Sequence, residues 1–292
     1  MSVKHLLPAA AVAAYLGLTA AAGAVPAVGL TGANQLFGFD TAAPGSVTSV
    51  QTVSGLLAGE ALLGIDYRPA TSQLYGLGST GRLYTISGGT ATFASTLDVP
   101  LSGDTFGVGF NPVPDRLRVT GDTGQNLRVN VDTGATTADG GLAYAAGDAN
   151  AGKTPRVTAV AYTNQVPGTV AATRLFDIDT ANDVLALQDP PNAGTLNTVG
   201  ALGVDASAAA GFDISGETGE GFAVLTVSGI TALYGIDLGT GAATRIGTFG
   251  TAGVTDIALV PGTPAAVPEP ASAALLGAGV LGLLAARRRR TA

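Results

Sequence analysis

One short pattern returns five times along this chain, and no other feature limits its fold as strongly. The stretch Leu63-Gly64-Ile65-Asp66-Tyr67-Arg68-Pro69 is echoed by Val108-Gly109-Phe110-Asn111-Pro112, by Ala159-Val160-Ala161-Tyr162, by Ala210-Gly211-Phe212-Asp213 and by Asp256-Ile257-Ala258-Leu259-Val260-Pro261. Aligning Ile65, Phe110, Ala161, Phe212 and Ile257 gives separations of 45, 51, 51 and 45 residues, periods that fit four-stranded propeller blades. The remainder of each unit agrees. Gln73 to Leu77, Arg82 to Ile86 and Thr90 to Leu97 are apolar-rich runs parted by Gly-containing turns such as Gly78-Ser79-Thr80-Gly81. Gly221 to Val227, Thr231 to Ile236 and Ala243 to Phe249 repeat the arrangement around Asp237-Leu238-Gly239-Thr240-Gly241.

Four units are complete and a fifth is split between the ends of the domain. Ala27 to Gly32, Gln35 to Phe39 and Ser46 to Val53 read as second, third and fourth strands with no first, whereas Thr255 to Val260 reads as a first strand with nothing after it. Joining them closes a ring and removes an exposed sheet edge. The expectation is an all-β domain over residues 25–262, a five-bladed β-propeller closed by its N- and C-terminal strands. A β-sandwich or a ring of another blade number is the competing architecture. The 43 glycines and only 12% charged residues suit short strands and tight turns.

Both ends of the chain carry targeting patterns. Lys4 and His5, an apolar run from Leu6 to Ala22, and the triplet Ala22-Gly23-Ala24 form the three regions of a signal peptide over residues 1–24, cut between Ala24 and Val25. At the other end a linker, 263–270, contains Val267, Pro268, Glu269 and Pro270. An apolar segment follows over 271–286, broken only by Ser272, and then a basic tail, 287–292, with Arg287, Arg288, Arg289 and Arg290. As a transmembrane helix, 271–286 is about 24 Å long, enough for a thin bilayer if the arginines snorkel. Such a cluster stops transfer and stays cytoplasmic, which leaves the domain outside an inner-membrane-anchored precursor, facing the periplasm.

This tail resembles the PEP-CTERM sorting signal of Gram-negative bacteria, which has a Val-Pro-Glu-Pro motif, a short apolar helix and a terminal basic cluster in the same order. The resemblance implies recognition by the membrane protease exosortase, an association with exopolysaccharide and biofilm, and a final place at the cell surface or in the extracellular matrix. An ordinary tail anchor is the plainer reading. Within the domain, Asn111-Pro112-Val113-Pro114-Asp115-Arg116-Leu117-Arg118-Val119, then Asp122-Thr123-Gly124-Gln125-Asn126-Leu127-Arg128-Val129-Asn130 and Asp132-Thr133-Gly134, resemble the uncharacterised bacterial family called domain of unknown function 4394. The likeness runs from Gln35 to Pro261 and includes Leu74-Tyr75-Gly76-Leu77. It names the domain without implying a reaction.

The residue inventory excludes several chemistries. Cysteine is absent, and the single histidine, His5, lies in the signal peptide, so the exported chain can build no catalytic triad, thiol dyad or histidine zinc site. Removing Lys4 and the four terminal arginines from 14 basic residues leaves nine against 21 acidic, a net charge of −12. Phosphate backbones repel such a surface, so nucleic acid is not an expected partner. No Gly-Lys-Ser or Gly-Lys-Thr phosphate loop occurs, and in the absence of tryptophan the seven tyrosines are the candidate stacking surfaces.

Carboxylates carry what chemistry remains. Asp66, Asp213 and Asp256 sit on or beside the innermost strands, where a pair about 5 to 10 Å apart could hydrolyse a glycosidic bond. The recurrence of Asp66, Asn111 and Asp213 at aligned positions speaks instead for a repeated backbone turn. Asp177, Asp179 and Asp183 offer three carboxylates within seven residues, a candidate calcium site. This stretch lacks the full EF-hand pattern, and an Asx hairpin turn is the alternative, as at Asp122, Asp132 and Asp237. Arg116 and Arg118 share a strand face and, with Arg128, suit either acidic polysaccharide or salt bridges within the domain. The expected function is that of a noncatalytic exported surface or matrix-associated protein binding glycan or protein, the alternative being a carbohydrate-active hydrolase.

Overall fold

The two ends of the domain meet in one sheet. In the computed structural model, which describes residues 24–262, β1 (Pro26–Thr31), β2 (Gln35–Asp40) and β3 (Thr48–Thr52) are joined by a strand from the far end of the sequence, Val254–Leu259, which lies innermost and pairs with β1. Blade 2 contains β4 (Leu62–Arg68), β5 (Gln73–Gly78), β6 (Arg82–Ser87) and β7 (Thr90–Thr96). Blade 3 contains β8 (Phe106–Asn111), β9 (Arg116–Gly121), β10 (Asn126–Val129) and β11 (Thr136–Ala138). Blade 4 contains β12 (Ala143–Tyr144), β13 (Val157–Tyr162), β14 (Leu175–Asp179), β15 (Val184–Gln188) and β16 (Thr195–Ala201). Blade 5 contains β17 (Ala206–Ile214), β18 (Gly221–Val227), β19 (Ile230–Ile236) and β20 (Ala243–Thr248), and the far-end strand is β21. The five-bladed propeller read from the repeats is therefore the fold. The signal peptide and the tail segments lie outside the described residues, apart from Ala24.

Closure follows the expected pairing. Ala27 faces Leu259, Gly29 faces Ile257 and Leu30 faces Asp256 in an antiparallel register. Innermost strands β4, β8, β13, β17 and β21 touch their neighbours in turn around the axis. Their aligned residues Ile65, Phe110, Ala161, Phe212 and Ile257 are all buried. The two longer periods have structural causes. Between blades 3 and 4 the chain inserts β12, which adds a fifth, parallel strand to the outer edge of blade 4, and residues 163–174 form a long loop between β13 and β14.

Core residues fill the seams between blades. Ile65 and Tyr84 pack with Leu30 and Ala258 between blades 1 and 2, Tyr75 packs with Phe110 and Val119 between blades 2 and 3, and Phe176 packs with Phe212 and Leu225 between blades 4 and 5. Phe37 and Phe39 join Phe222 and Ile257 at the closure. The seam beside β21 thus needs both chain ends. A chain stopped after Gly253 loses β21, exposes the edge of β1 and removes part of the apolar filling of two seams. It is expected to lose its cooperative thermal transition and to self-associate on size exclusion, whereas a chain stopped after Gly262 keeps the transition and does not self-associate. Equal melting and elution of the two truncations would contradict this account of closure.

Candidate functional site

An innermost blade strand pairs with its own sheet along one edge and turns the other toward the axis, so its inward amides have no ladder partner. Three of these amides are met by carboxylates from the adjacent blade. Phe110 N–H donates to Asp66 Oδ2 at 2.6 Å, Leu259 N–H to Asp213 Oδ2 at 2.7 Å, and Ile65 N–H to Asp256 Oδ2 at 2.8 Å. The other oxygen of each accepts the following residue's own amide, from Tyr67, Ile214 and Ile257. Asp66 and Asp213 therefore tie one blade to the next. This corrects the turn role inferred from their recurrence, because an axial edge amide needs an acceptor more than the turns do. Asn111 alone fills the turn role, accepting Val113 N–H at 3.0 Å.

Glycines make room for this axial layer. A Cβ on Gly211 would lie 2.4 Å from Asp256 Oδ1, and one on Gly64 would lie 3.1 Å from Asp256 Oδ2. All three carboxylates are at most 8% exposed, and among the described residues no basic side chain bonds to any of them. Burial pushes Asp213 up to about 7. Burial and then the charge of Asp213 raise Asp66 well above the ordinary carboxylate range, and Asp256 is raised by the same two causes. The hydrolase candidates are thus brought together, but as bonded acceptors within the axis.

The arginine cluster resolves into two different roles. Arg118, 1% exposed, donates to Asp139 at 2.7 Å, to Asn126 and Asn192 at 2.8 Å and to the Tyr162 hydroxyl at 3.2 Å, spanning blades 3 and 4. Arg128 completes the pair with Asp139 at 3.1 Å. Burial acts to raise Asp139, yet the hydrogen bonds from Arg128 and Arg118 hold it below the usual range. Arg116 bonds the carbonyls of Pro114 and Asp115 instead. Sequence reading passed over Arg68, which reaches from blade 2 to Asp115 at 2.5 Å and Asp132 at 2.7 Å on blade 3.

The acidic stretch is an Asx turn with its carboxylates apart in role. Asp179 accepts amides from Arg156, Ala181 and Asn182, and its other oxygen takes the Tyr144 hydroxyl and the Asn182 carboxamide. Asp183 accepts Ala206 N–H at 2.9 Å. Asp177 is fully buried with both oxygens lacking a hydrogen-bond partner, and burial holds its carboxyl well above the ordinary range, the nearby charge of Arg118 opposing this only in part. Among the described residues, no three acidic or histidine side chains converge on a metal-sized site. At the predicted signal cleavage junction, Val25 is buried and its N–H donates to Thr41 Oγ1 at 3.0 Å. The sorting-motif residues and terminal arginines lie outside the described residues.

Open clefts line one face of the ring, where loops join first to second and third to fourth strands. Between blades 1 and 2 a cleft of about 500 Å³ is lined by Ser49, Gln51, Tyr67, Gln73, Thr85 and Ser87 among others, with no charged side chain in its wall. A second, of about 460 Å³, lies between blades 3 and 4 and includes Val113, Arg174 and Asp189. The tyrosines contribute less surface than expected. Tyr75, Tyr84, Tyr144, Tyr162 and Tyr234 are buried, and among the described residues only Tyr67 is half-exposed.

Comparison with known proteins fits this architecture. Residues 35–258 match the family described as domain of unknown function DUF4394. The chain belongs to this family. Beyond the DUF4394 domain, residues 266–290 match the PEP-CTERM protein-sorting motif, which marks an exported precursor that passes through the membrane and is processed by exosortase. No curated protein matches the chain. Among solved structures, a protein of unknown function from Bacteroides thetaiotaomicron is 16% identical with a TM-score of 0.52, the match covering 82% of this chain and 68% of that one. The glutaminyl cyclase of Myxococcus xanthus is 14% identical over 74% of this chain and 97% of its own, with a TM-score of 0.41. The first likeness shows a shared fold.

Two consequences of the DUF4394 domain's buried charges can be measured. A carboxylate whose folded pKa exceeds its unfolded value of about 3.9 binds more protons when folded, so its contribution to stability is full below that value and is lost as pH rises through the folded pKa. Without divalent cations the melting temperature should therefore fall between pH 4 and the region above about 7 where Asp213 titrates. Asp213→Asn, which keeps an acceptor for Leu259 N–H, should flatten that fall. Separately, Arg118→Met strips Asp139 and Asp177 of their buried countercharge and is expected to cost about 3–5 kcal/mol in chemical denaturation. A loss below about 1 kcal/mol, the scale of an exposed pair, would refute the buried role.

Proposed function

We propose that the exported domain is a noncatalytic glycan-binding module of the cell surface or exopolysaccharide matrix, delivered there by its sorting tail. The observation that carries the reading is the cleft between blades 1 and 2. Its wall offers the carboxamides of Gln51 and Gln73, the hydroxyls of Ser49, Thr85 and Ser87, and the half-exposed ring of Tyr67, in a volume of about 500 Å³. A concave site with a few converging polar groups and an apolar floor of Leu36, Phe37 and Leu74 is suited to a small ligand. The absence of charge from this wall, in a chain with 21 acidic residues, favours a neutral saccharide over an ionic one. Axial carboxylates that already accept strand amides support binding over hydrolysis.

The sorting tail and the clefts are related by geometry. The domain's last described residues, Val260 to Gly262, leave from the cleft-bearing face, and Val25 begins on the same side, next to Val260. Eight linker residues reach at most about 29 Å. While the tail is held in the membrane, the clefts are turned toward the bilayer, and cutting the tail frees them. In a host with exosortase, replacing Pro268, Glu269 and Pro270 by alanine should leave an uncleaved, membrane-bound precursor. The check is the C-terminal peptide of the native surface protein by mass spectrometry. Recovery of the intact arginine tail on that mature protein would leave a plain membrane anchor.

Glycan arrays probed with the processed protein test the binding reading directly. Neutral oligosaccharides should bind, and Gln51→Ala together with Gln73→Ala should weaken the best of them at least tenfold while leaving the melting temperature unchanged, since both residues are exposed. Retained binding in the double variant would move the ligand away from this cleft.

A further inference from the structure

We propose that the pocket at the end of the propeller axis, formed by Asp66, Asp213 and Gln165, binds a calcium ion that clamps the strand closing the ring. The pocket has room for little more than one water-sized particle, and Ser215, Gly216 and the departing segment Leu259 to Gly262 complete its wall. Asp66 comes from β4, Asp213 from β17 and Gln165 from the long loop of blade 4, so the three ligands arrive from three blades.

The orphaned side chain is Gln165. It is 7% exposed, and its Nε2 donates to the Phe110 carbonyl at 2.6 Å. Its Oε1 is buried without a partner, and Gln165 lines the same pocket as the two aspartates. An unpaired buried carboxamide oxygen is unfavourable, and among the described residues neither buried carboxylate has a basic side chain bonded to it, which is more unfavourable still. Each carboxylate oxygen accepts one backbone amide and keeps lone-pair capacity for a further contact. A single hard cation satisfies all of these oxygens together. Calcium takes six to eight oxygen ligands in flexible geometry, including carboxylates, carboxamides and backbone carbonyls, and the exit segment Leu259 to Gly262 lines the same pocket. Zinc and other thiolate- or imidazole-seeking metals find no suitable donors here.

The consequence is mechanical. Asp213 already holds Leu259 at the end of β21, so a cation at its carboxylate ties blades 2, 4 and 5 to the point where the chain leaves the ring for its sorting tail. This site is separate from the acidic turn at Asp177, Asp179 and Asp183, whose geometry gives no convergent set of ligands.

The full chain, purified in detergent and stripped with chelator, provides the test. Millimolar calcium should raise its melting temperature through linkage, magnesium and sodium should do so less, and terbium should bind with luminescence sensitised by Tyr67, which lines the pocket. Asp213→Asn, which preserves the acceptor for Leu259, and Gln165→Leu should each lower terbium affinity at least tenfold and remove the calcium-dependent rise. Asp183→Asn, at the acidic turn, should keep both signals. Absence of a calcium-dependent shift and of sensitised terbium emission in the parent chain would overturn the proposal, a result that needs no variant to fold. A rise that survives in Asp213→Asn but disappears in Asp183→Asn would place the ion at the turn and equally overturn it.

Discussion

The unpaired inner edge of each blade is the constraint around which this ring is built. A sheet that ends in mid-protein leaves a row of buried amides, and each unmet amide costs about 1–3 kcal/mol, more than an ordinary hydrogen bond contributes net. Here the answer is a carboxylate reaching across the seam. Asp66 serves β8, Asp213 serves β21 and Asp256 serves β4, so the same bond that satisfies an edge also fixes the spacing between neighbouring blades. The glycine at 211 follows from this arrangement, because a side chain there would occupy the space of the Asp256 carboxylate, and at 64 a side chain would run into Val108 and press on the same carboxylate.

The two remaining seams have no axial carboxylate and are held by other means. Between blades 3 and 4 the Arg118 guanidinium spreads over Asp139, Asn126, Asn192 and Tyr162, and Gln165 reaches back to the Phe110 carbonyl. Between blades 4 and 5 Phe176, Ile178, Phe212 and Ile214 pack together, and Asp183 at a blade 4 turn accepts the amide of Ala206 at the start of β17. The electrostatic consequences differ. Arg118 lies beside the acidic groups of its seam, whereas the axial carboxylates face one another, so their charge is relieved only by protonation or by an added cation.

The fold was legible because its cause is periodic. A blade needs an apolar inner strand at a fixed interval, and Ile65, Phe110, Ala161, Phe212 and Ile257 recur for that reason. The split unit was equally readable, since Thr255 to Val260 had strand character and no successor. β12 was not readable: two residues, Ala143 and Tyr144, carry no period, and their pairing is set by Thr195 and Leu196 across the sheet.

The site was legible only where backbone demands repeat. Asp66 and Asp213 stood out because the same edge problem recurs in successive blades, yet their chemistry was misassigned to turns, since a sequence does not show that a strand edge lies 44 or 46 residues away. Gln165 illustrates the opposite limit. It sits in an irregular loop with no repeat, and nothing local distinguishes it from Asn164, which bonds the carbonyl of Ala172. What sets it apart is that its amide group bonds blade 3 while its oxygen is buried without a partner, in a residue that lines the same pocket as Asp66 and Asp213. That is a property of three blades meeting, and it arises only when the ring has closed. The cleft residues Gln51, Gln73 and Ser87 are of the same kind: each belongs to a different strand or turn, and closure of blade 1 against blade 2 is what makes them one surface.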